Sequence, residues 1–227
     1  MFVHYGYEAG KDMKPGVFRA NVAIWTGKDS LVTQLLGEIP GSERWGQSVN
    51  GVLRGTRPLP LGKQSVIAIG EDRFFVGTAD TYEIIIRDLA GRQIGTIRKP
   101  SANLATTKAD VEFVLQREQA GQSEAAQKRI ADSYATMELP KTIPAYTKML
   151  IDSEGLLWVQ DYPRGKSAVS RWSVFSPAGA QRAEVLLPAN LDLYEVGPDY
   201  VLGRYIDPDE QIPQIRTYHL RRAGRRP

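Results

Sequence analysis

The sequence predicts an all-β fold: a β-propeller of about four blades, each a four-stranded antiparallel sheet, with a helical hairpin inserted. Three observations carry this. Short apolar runs rich in β-branched and aromatic residues fill most of the 227 residues. Acidic-Gly and Ala-Gly turns punctuate them at repeated places. The resulting four-strand unit recurs about every forty residues, the spacing of propeller blades.

The clearest unit is "SVIAIGEDRFFVGTADTYEIIIRDLAGRQIGTIRK" (65–99). It reads as strands at 65–69, 73–77, 82–88 and 93–98, with turns at Gly70-Glu71-Asp72 and Ala90-Gly91. "YTKMLIDSEGLLWVQDYPRGKSAVSRWSVFSPAGAQRAEVLL" (146–187) repeats the plan: strand, acidic-Gly turn, strand, polar loop, strand, Pro-Ala-Gly turn, strand. "LDLYEVGPDYVLGRYIDPDEQIPQIRTYHLRR" (191–222) gives three strands and stops. At the other end, "MFVHYGY", "FRANVAIWTG" and "SLVTQLLGE" give three strands of a unit whose first strand is missing. Runs this short cannot form separate cores, so adjacent units must stack face to face. A β-sandwich is the alternative for many short strands, and the fixed turn positions favour the propeller.

One segment breaks the period. The insertion at 104–138 is helical. Thr107 and Asp110 have capping-box spacing, and Val111, Val114 and Leu115 form an i, i+3, i+4 stripe. Gly121 ends the first helix because it tolerates a left-handed backbone. Ser123 caps a second, running to about Tyr134. The chain therefore reads as one partial propeller domain over 1–222, with a basic tail at 223–227.

Composition excludes several classes. There is no cysteine, hence no disulfide, thiol nucleophile or thiolate metal site. Four arginines, Arg221, Arg222, Arg225 and Arg226, crowd the C-terminus; without them the 29 basic residues fall to 25 against 26 acidic ones. The basic character thus belongs to the tail, which reads as a solvated terminus, with phosphate or anionic lipid contact as the alternative. The body is not basic and holds no RNP-like or helix-turn-helix pattern, so nucleic acid is not the expected partner. No apolar run reaches the ~20 residues of a membrane span. A G-x-S-x-G elbow, an H-E-x-x-H pair and a P-loop are all absent. The two histidines, His4 and His219, fall in predicted strands, where a structural role is expected. "DPDE" (207–210) packs carboxylates but lacks the spacing of a calcium loop, and reads as a turn around Pro208.

Several stretches together carry a resemblance: "PGVFRANVAIW" with "LLGEIPGSERW", "RPLPLGKQSVIAIGEDRFFVGTADTYEIIIRDLAGR", "TTKADVEFVLQRE", "PAYTKMLIDSEGLLWVQDY", "WSVFSPAG" and "VGPDYVLGRYIDPDEQIPQIRTYHL". The chain resembles the bacterial six-bladed β-propellers related to the NHL and TolB-like groups, in particular uncharacterised members with a helical insertion. The resemblance implies six blades where about four are counted, so Met1 is expected to lie inside a longer ancestral chain. Open blade edges would then favour self-association. The resemblance also implies an export signal on the full protein and an extracytoplasmic location. It implies no particular activity, since one fold hosts many.

Propeller topology gathers alternate loops on one face. The stretches expected there are Gly6–Val17, Gly37–Gln64, Thr78–Thr81, the insertion, Asp161–Ser170 and Ile206–Pro213. This face carries Lys11, Lys14, Arg44, Arg54, Arg57, Arg164 and Lys166, interleaved with Trp45 and Tyr162. Cations among aromatics suit carboxylates, sugars or phosphates. Arg57 and Arg164 lead the candidates because proline-flanked loops stiffen the chain that presents them, followed by Tyr162, Trp45, Arg54 and Lys166. "DYPRG" (161–165) becomes a ligand rim. The function expected is a non-catalytic propeller scaffold that binds a small molecule or protein at this face, without cofactor or metal. The alternative is a metal-dependent propeller hydrolase or lactonase with its site in the channel. That chemistry needs inward carboxylates, and Asp192 and Glu195 are the exceptions in otherwise apolar inner strands.

Overall fold

In a computed structural model, residues 2–7, 13–28, 31–100, 103–207 and 212–221 are described. The protein is mostly β, with four antiparallel sheets and two helices. The first sheet holds β1 (Phe2–Tyr7), β2 (Gly16–Lys28), β3 (Leu31–Val49) and β4 (Val52–Pro58). The second holds β5 (Val66–Ile69), β6 (Arg73–Gly77), β7 (Glu83–Asp88) and β8 (Gln93–Arg98). Two helices follow, α1 (Lys108–Gln119) and α2 (Glu124–Thr136). The third sheet is β9 (Tyr146–Ile151), β10 (Leu157–Asp161), β11 (Val169–Phe175) and β12 (Gln181–Pro188). The fourth has three strands, β13 (Leu191–Val196), β14 (Tyr200–Ile206) and β15 (Pro213–His219).

Within each sheet the strands run in sequence order, each paired to the next. The acidic turns explain the tight hairpins. The Asp88 carboxylate accepts from the amides of Ala90 and Arg92, and that of Asp152 accepts from Glu154 and Leu156. Each turn thereby closes on a side chain at its own start.

The sheets stack consecutively, so their strands are apolar on both faces. Ile24 of the first sheet packs with Phe74 and Val76 of the second. Phe75, Ile84 and Ile86 of the second meet Tyr146, Leu157 and Val159 of the third. Trp158, Trp172 and Val174 leave the other face of the third for Leu191, Leu193 and Val201 of the fourth. Side-chain alternation along β10 thus feeds two cores at once, Leu157 and Val159 into one and Trp158 into the next. Trp158 and Trp172 are fully buried, as expected of packing between units.

The N-terminal region departs from expectation. Gly37–Gln64 is not a loop: β3 continues to Val49, turns at Asn50-Gly51 and returns as β4. The first sheet therefore has four strands where three were read. Its breakers are absorbed rather than obeyed. Gly37 sits opposite Ile24 with φ 135, beside a register shift. Pro40 lies where β3 has β2 on one side only, since β4 pairs no earlier than Arg44, and an edge tolerates a missing donor.

The helical hairpin folds as expected. Thr107 and Asp110 form the reciprocal capping box, and Gly121 follows the first helix with φ 72. Ser123 occupies the N-cap of α2, but its side chain makes no capping bond. Val114, Tyr134 and Ile143 close over Leu61, so the hairpin docks on the linker after β4. No helix among the described residues is long and apolar enough to cross a membrane.

Candidate functional site

A cation bridges each pair of neighbouring sheets, and the three bridges differ. Between the first and second sheets, the Arg19 guanidinium donates to both oxygens of Asp80 at 2.9 Å and to the Thr78 carbonyl at 2.8 Å. Between the third and fourth, Lys148 Nζ donates to Asp192 Oδ1 at 2.8 Å and to the Leu193 carbonyl at 2.6 Å. Between the second and third, Lys99 Nζ donates to Ser173 Oγ at 2.8 Å but stands 3.5 Å from Asp161 Oδ2. The first two are tight charge-assisted pairs. The third leaves its carboxylate loosely held.

Local structure sets this geometry. Asp161 ends β10, just after a register shift against β9. A bulge of this kind re-aims the side chain beyond it. Lys99 follows β8 and is fixed by its amide, which donates to the Tyr82 carbonyl. Its ammonium lies 5.0 Å from the centre of the Tyr82 ring. That ring packs edge-on to Tyr146 and beside Phe175. Ser173 is fully buried in the middle of β11.

Two of the three buried side-chain polar atoms without a hydrogen-bond partner among the described residues belong here, the Tyr82 hydroxyl and Asp161 Oδ1. The hydroxyl is near enough to feel Ser173 and Asp161, yet makes no hydrogen bond of ordinary geometry with either. Burial pushes the Tyr82 hydroxyl far above its ordinary value. Burial also raises the Asp161 carboxyl, against the opposing pull of Lys99 and Tyr82. Buried polar groups are normally satisfied, so among the described residues this cluster holds two of the three buried atoms with polar capacity left over.

The cluster lines a cleft of about 550 Å³ at one end of the second and third sheets. Tyr162, Leu104 and Ile143 give it an apolar wall, and Val169 and Leu186 stand exposed on its rim. Arg171 also faces the cleft, paired with Glu184. The size falls within the roughly 300–1,000 Å³ of small-ligand sites, and the mixture of apolar wall with few polar groups is characteristic of them.

The residues expected at the site divide. Tyr162 lines the cleft, its ring half-buried against the helical hairpin. Arg164 reaches the same rim, but its guanidinium faces inward. Nε and Nη2 donate to Asp110 at 3.1 and 2.6 Å, Nη1 donates to the Asn103 carbonyl, and Nη2 also reaches that of Ala105. This fork holds the Asp110 carboxyl down to about 2. Arg57 donates to Glu118 at 2.7 Å and lies over the Tyr134 ring. Both leading candidates therefore fasten the helical hairpin to the sheets. Trp45 is half-buried in β3, opposite Arg57, while Arg54 in β4 and Lys166 after β10 are exposed; none of these three lines the cleft. Lys11, the "DPDE" turn beyond Asp207 and the basic tail beyond Arg221 lie outside the described residues.

Lys99, Tyr82 and Ser173 were not among the expected site residues, and Asp161 was expected only as the first residue of the "DYPRG" rim. The one signal was that "DYPRG" closes a strand on the loop-rich side. The inner-strand carboxylates are engaged: Asp192 by Lys148 and Arg204, Glu195 by the Tyr200 hydroxyl. No group of three His, Asp or Glu among the described residues could hold a metal ion. No family model and no curated protein sequence matches the chain.

Proposed function

We propose that this chain is part of a six-bladed β-propeller of the NHL and TolB-like kind and serves as a non-catalytic binding scaffold. Its ligand site is the cleft between the second and third sheets, beside the helical hairpin. Consecutive face-to-face stacking of the four sheets supports the propeller reading. The observation that carries the site is the contrast among the three bridges. Arg19 and Lys148 close tightly on their carboxylates, whereas Lys99 leaves Asp161 underused within a ligand-sized space. Asp161 Oδ1 is enclosed, but Oδ2 is held by Lys99 only at 3.5 Å, and a bound ligand can meet it there.

The test is a small-molecule fragment screen read by amide chemical shifts. Binders are expected to move the signals of Lys99, Asp161 and Tyr162, and to lose affinity in Lys99→Met. Fragments that cluster elsewhere, for example on the β3–β4 hairpin, would remove the site assignment.

A further inference from the structure

On the reading that this cleft binds a ligand, we infer that the ligand is a neutral saccharide, held by hydroxyl groups that bridge Asp161 and Lys99.

Charge balance comes first. The cleft presents Lys99, Arg164 and Arg171 with Asp161 and Glu184, and Arg164 is already committed to Asp110. Arg171 is paired with Glu184, and Lys99 lies beside Asp161. An anionic head would gain Lys99 but meet the Asp161 carboxylate. A cationic head would gain Asp161 but meet Lys99. Either sign has an opponent within the site, and like charges in a half-buried space are costly. A neutral ligand has none.

Hydrogen-bond capacity comes next. Asp161 Oδ1 is enclosed, so Oδ2 is the oxygen left to a ligand, and Lys99 holds it only at 3.5 Å. The ammonium has three donors, and Ser173 takes one at good length. The pair thus offers one strong acceptor beside one strong donor. A hydroxyl both donates and accepts, so one hydroxyl, or two on adjacent carbons, can give its proton to Asp161 and receive one from Lys99. A ketone or an ether lacks the first, and an amide can match both only by spreading them over its nitrogen and its oxygen. Polarised in this way by an ion pair, the bonds are of the stronger, charge-assisted kind.

The walls fit the rest of a sugar. A pyranose has one face of C–H groups, which packs on aromatic and aliphatic surface. Tyr162 and Leu104 provide that surface, and the exposed Val169 and Leu186 extend it to the rim. The volume of about 550 Å³ leaves room for a second ring.

A charge-matched series tests this on the unmodified chain. Methyl glycosides of glucose, galactose and mannose would be compared with the corresponding uronates and 2-amino sugars, by amide chemical shifts. At least one neutral glycoside is expected to shift Lys99, Asp161 and Tyr162 saturably, in the millimolar range usual for single sugars, with its charged relatives at least about tenfold weaker. Asp161→Asn and Lys99→Met should each weaken that glycoside about tenfold or more. Saturable cleft binding by a uronate or an amino sugar in preference to its neutral parent would overturn the ligand class and leave the site standing. Silence from all nine sugars, with fragments still mapping to the cleft, would do the same. Silence in the cleft from both sugars and fragments would remove the site itself.

Discussion

Asp110 is where the helical hairpin meets the sheets, and its ionisation should be readable in the stability of the whole chain. Its carboxylate is 5% exposed and receives the Arg164 fork. It also closes the capping box with Thr107. The Arg164 bonds, helped by those from Thr107, lower the carboxyl from 3.8 to about 2. At 1.36 kcal/mol per unit, that shift corresponds to about 2.5 kcal/mol favouring the folded state. The Arg164 side chain is 37% exposed, so solvent screening reduces the expected contribution to about 1–2 kcal/mol. Because the folded-state value is the lower one, this stability is present in full above 3.8 and is lost as pH falls toward 2. Asp110→Asn keeps an acceptor for the cap and removes the charge. Urea titrations followed by circular dichroism from about pH 7 to 2.5 should show the wild-type chain losing about 1 kcal/mol more than the variant, roughly two-thirds of the contribution, across that window. A double-mutant cycle with Arg164→Gln at neutral pH should give a coupling of similar size. Parallel pH curves for Asp110→Asn and wild type, or a coupling below about 0.3 kcal/mol, would refute the assignment of Arg164 as a structural fastener.

Three further outcomes are expected. Trp158→Ala should destabilise by about 3–5 kcal/mol, because it empties a buried site between the third and fourth sheets and removes the indole donor to Asp152. An unchanged denaturation midpoint would contradict that packing. Gly77→Ala would drive a methyl group into the Tyr146 hydroxyl, which donates to the Glu83 carbonyl and accepts from the Ala79 amide. Displacing that ring should cost about 2–4 kcal/mol, whereas Gly55→Ala, with open space at its Cβ, should cost under about 1 kcal/mol; equal midpoints would be the wrong result. Asp161 has the opposite sign to Asp110. Its carboxyl is raised by burial, so the folded state holds the proton more tightly and stability falls as pH rises from 3.8 through the raised value. Asp161→Asn should flatten the pH–stability curve in that window, and an unaltered slope would count against an underused carboxylate.

Strands in the second sheet were legible to within about a residue or two, and those of the third in their order, because Asp and Gly turns mark their ends and both faces are apolar. The first sheet was not, since Gly37–Gln64 read as a loop. There the informative dipeptide was Asn50-Gly51 between two valines, the strongest short hairpin signal, with both residues at positive φ as a tight turn requires. The capping box at Thr107 was legible because its partners lie three residues apart. The site was not, for the opposite reason. Arg57 and Glu118 are 61 residues apart, Arg164 and Asp110 are 54, and Lys99 and Ser173 are 74. A stiff, proline-flanked loop says that a guanidinium is presented. It does not say which carboxylate a distant helix brings within its reach.

The two ends of the helical insertion meet. Ala105 and Thr142 pair as an antiparallel bridge, and amide bonds join Thr106 to Lys141 and Ile143 to Leu104 on either side of it. Paired residues of that kind lie about 5 Å apart, so the hairpin leaves and re-enters the β framework through a single narrow gate. Closing such a gate with a short turn costs little chain entropy. The insertion is therefore joined to the framework at one point of the chain, and its place beside the sheets is kept by the Leu61 contact and the Arg57 and Arg164 fasteners.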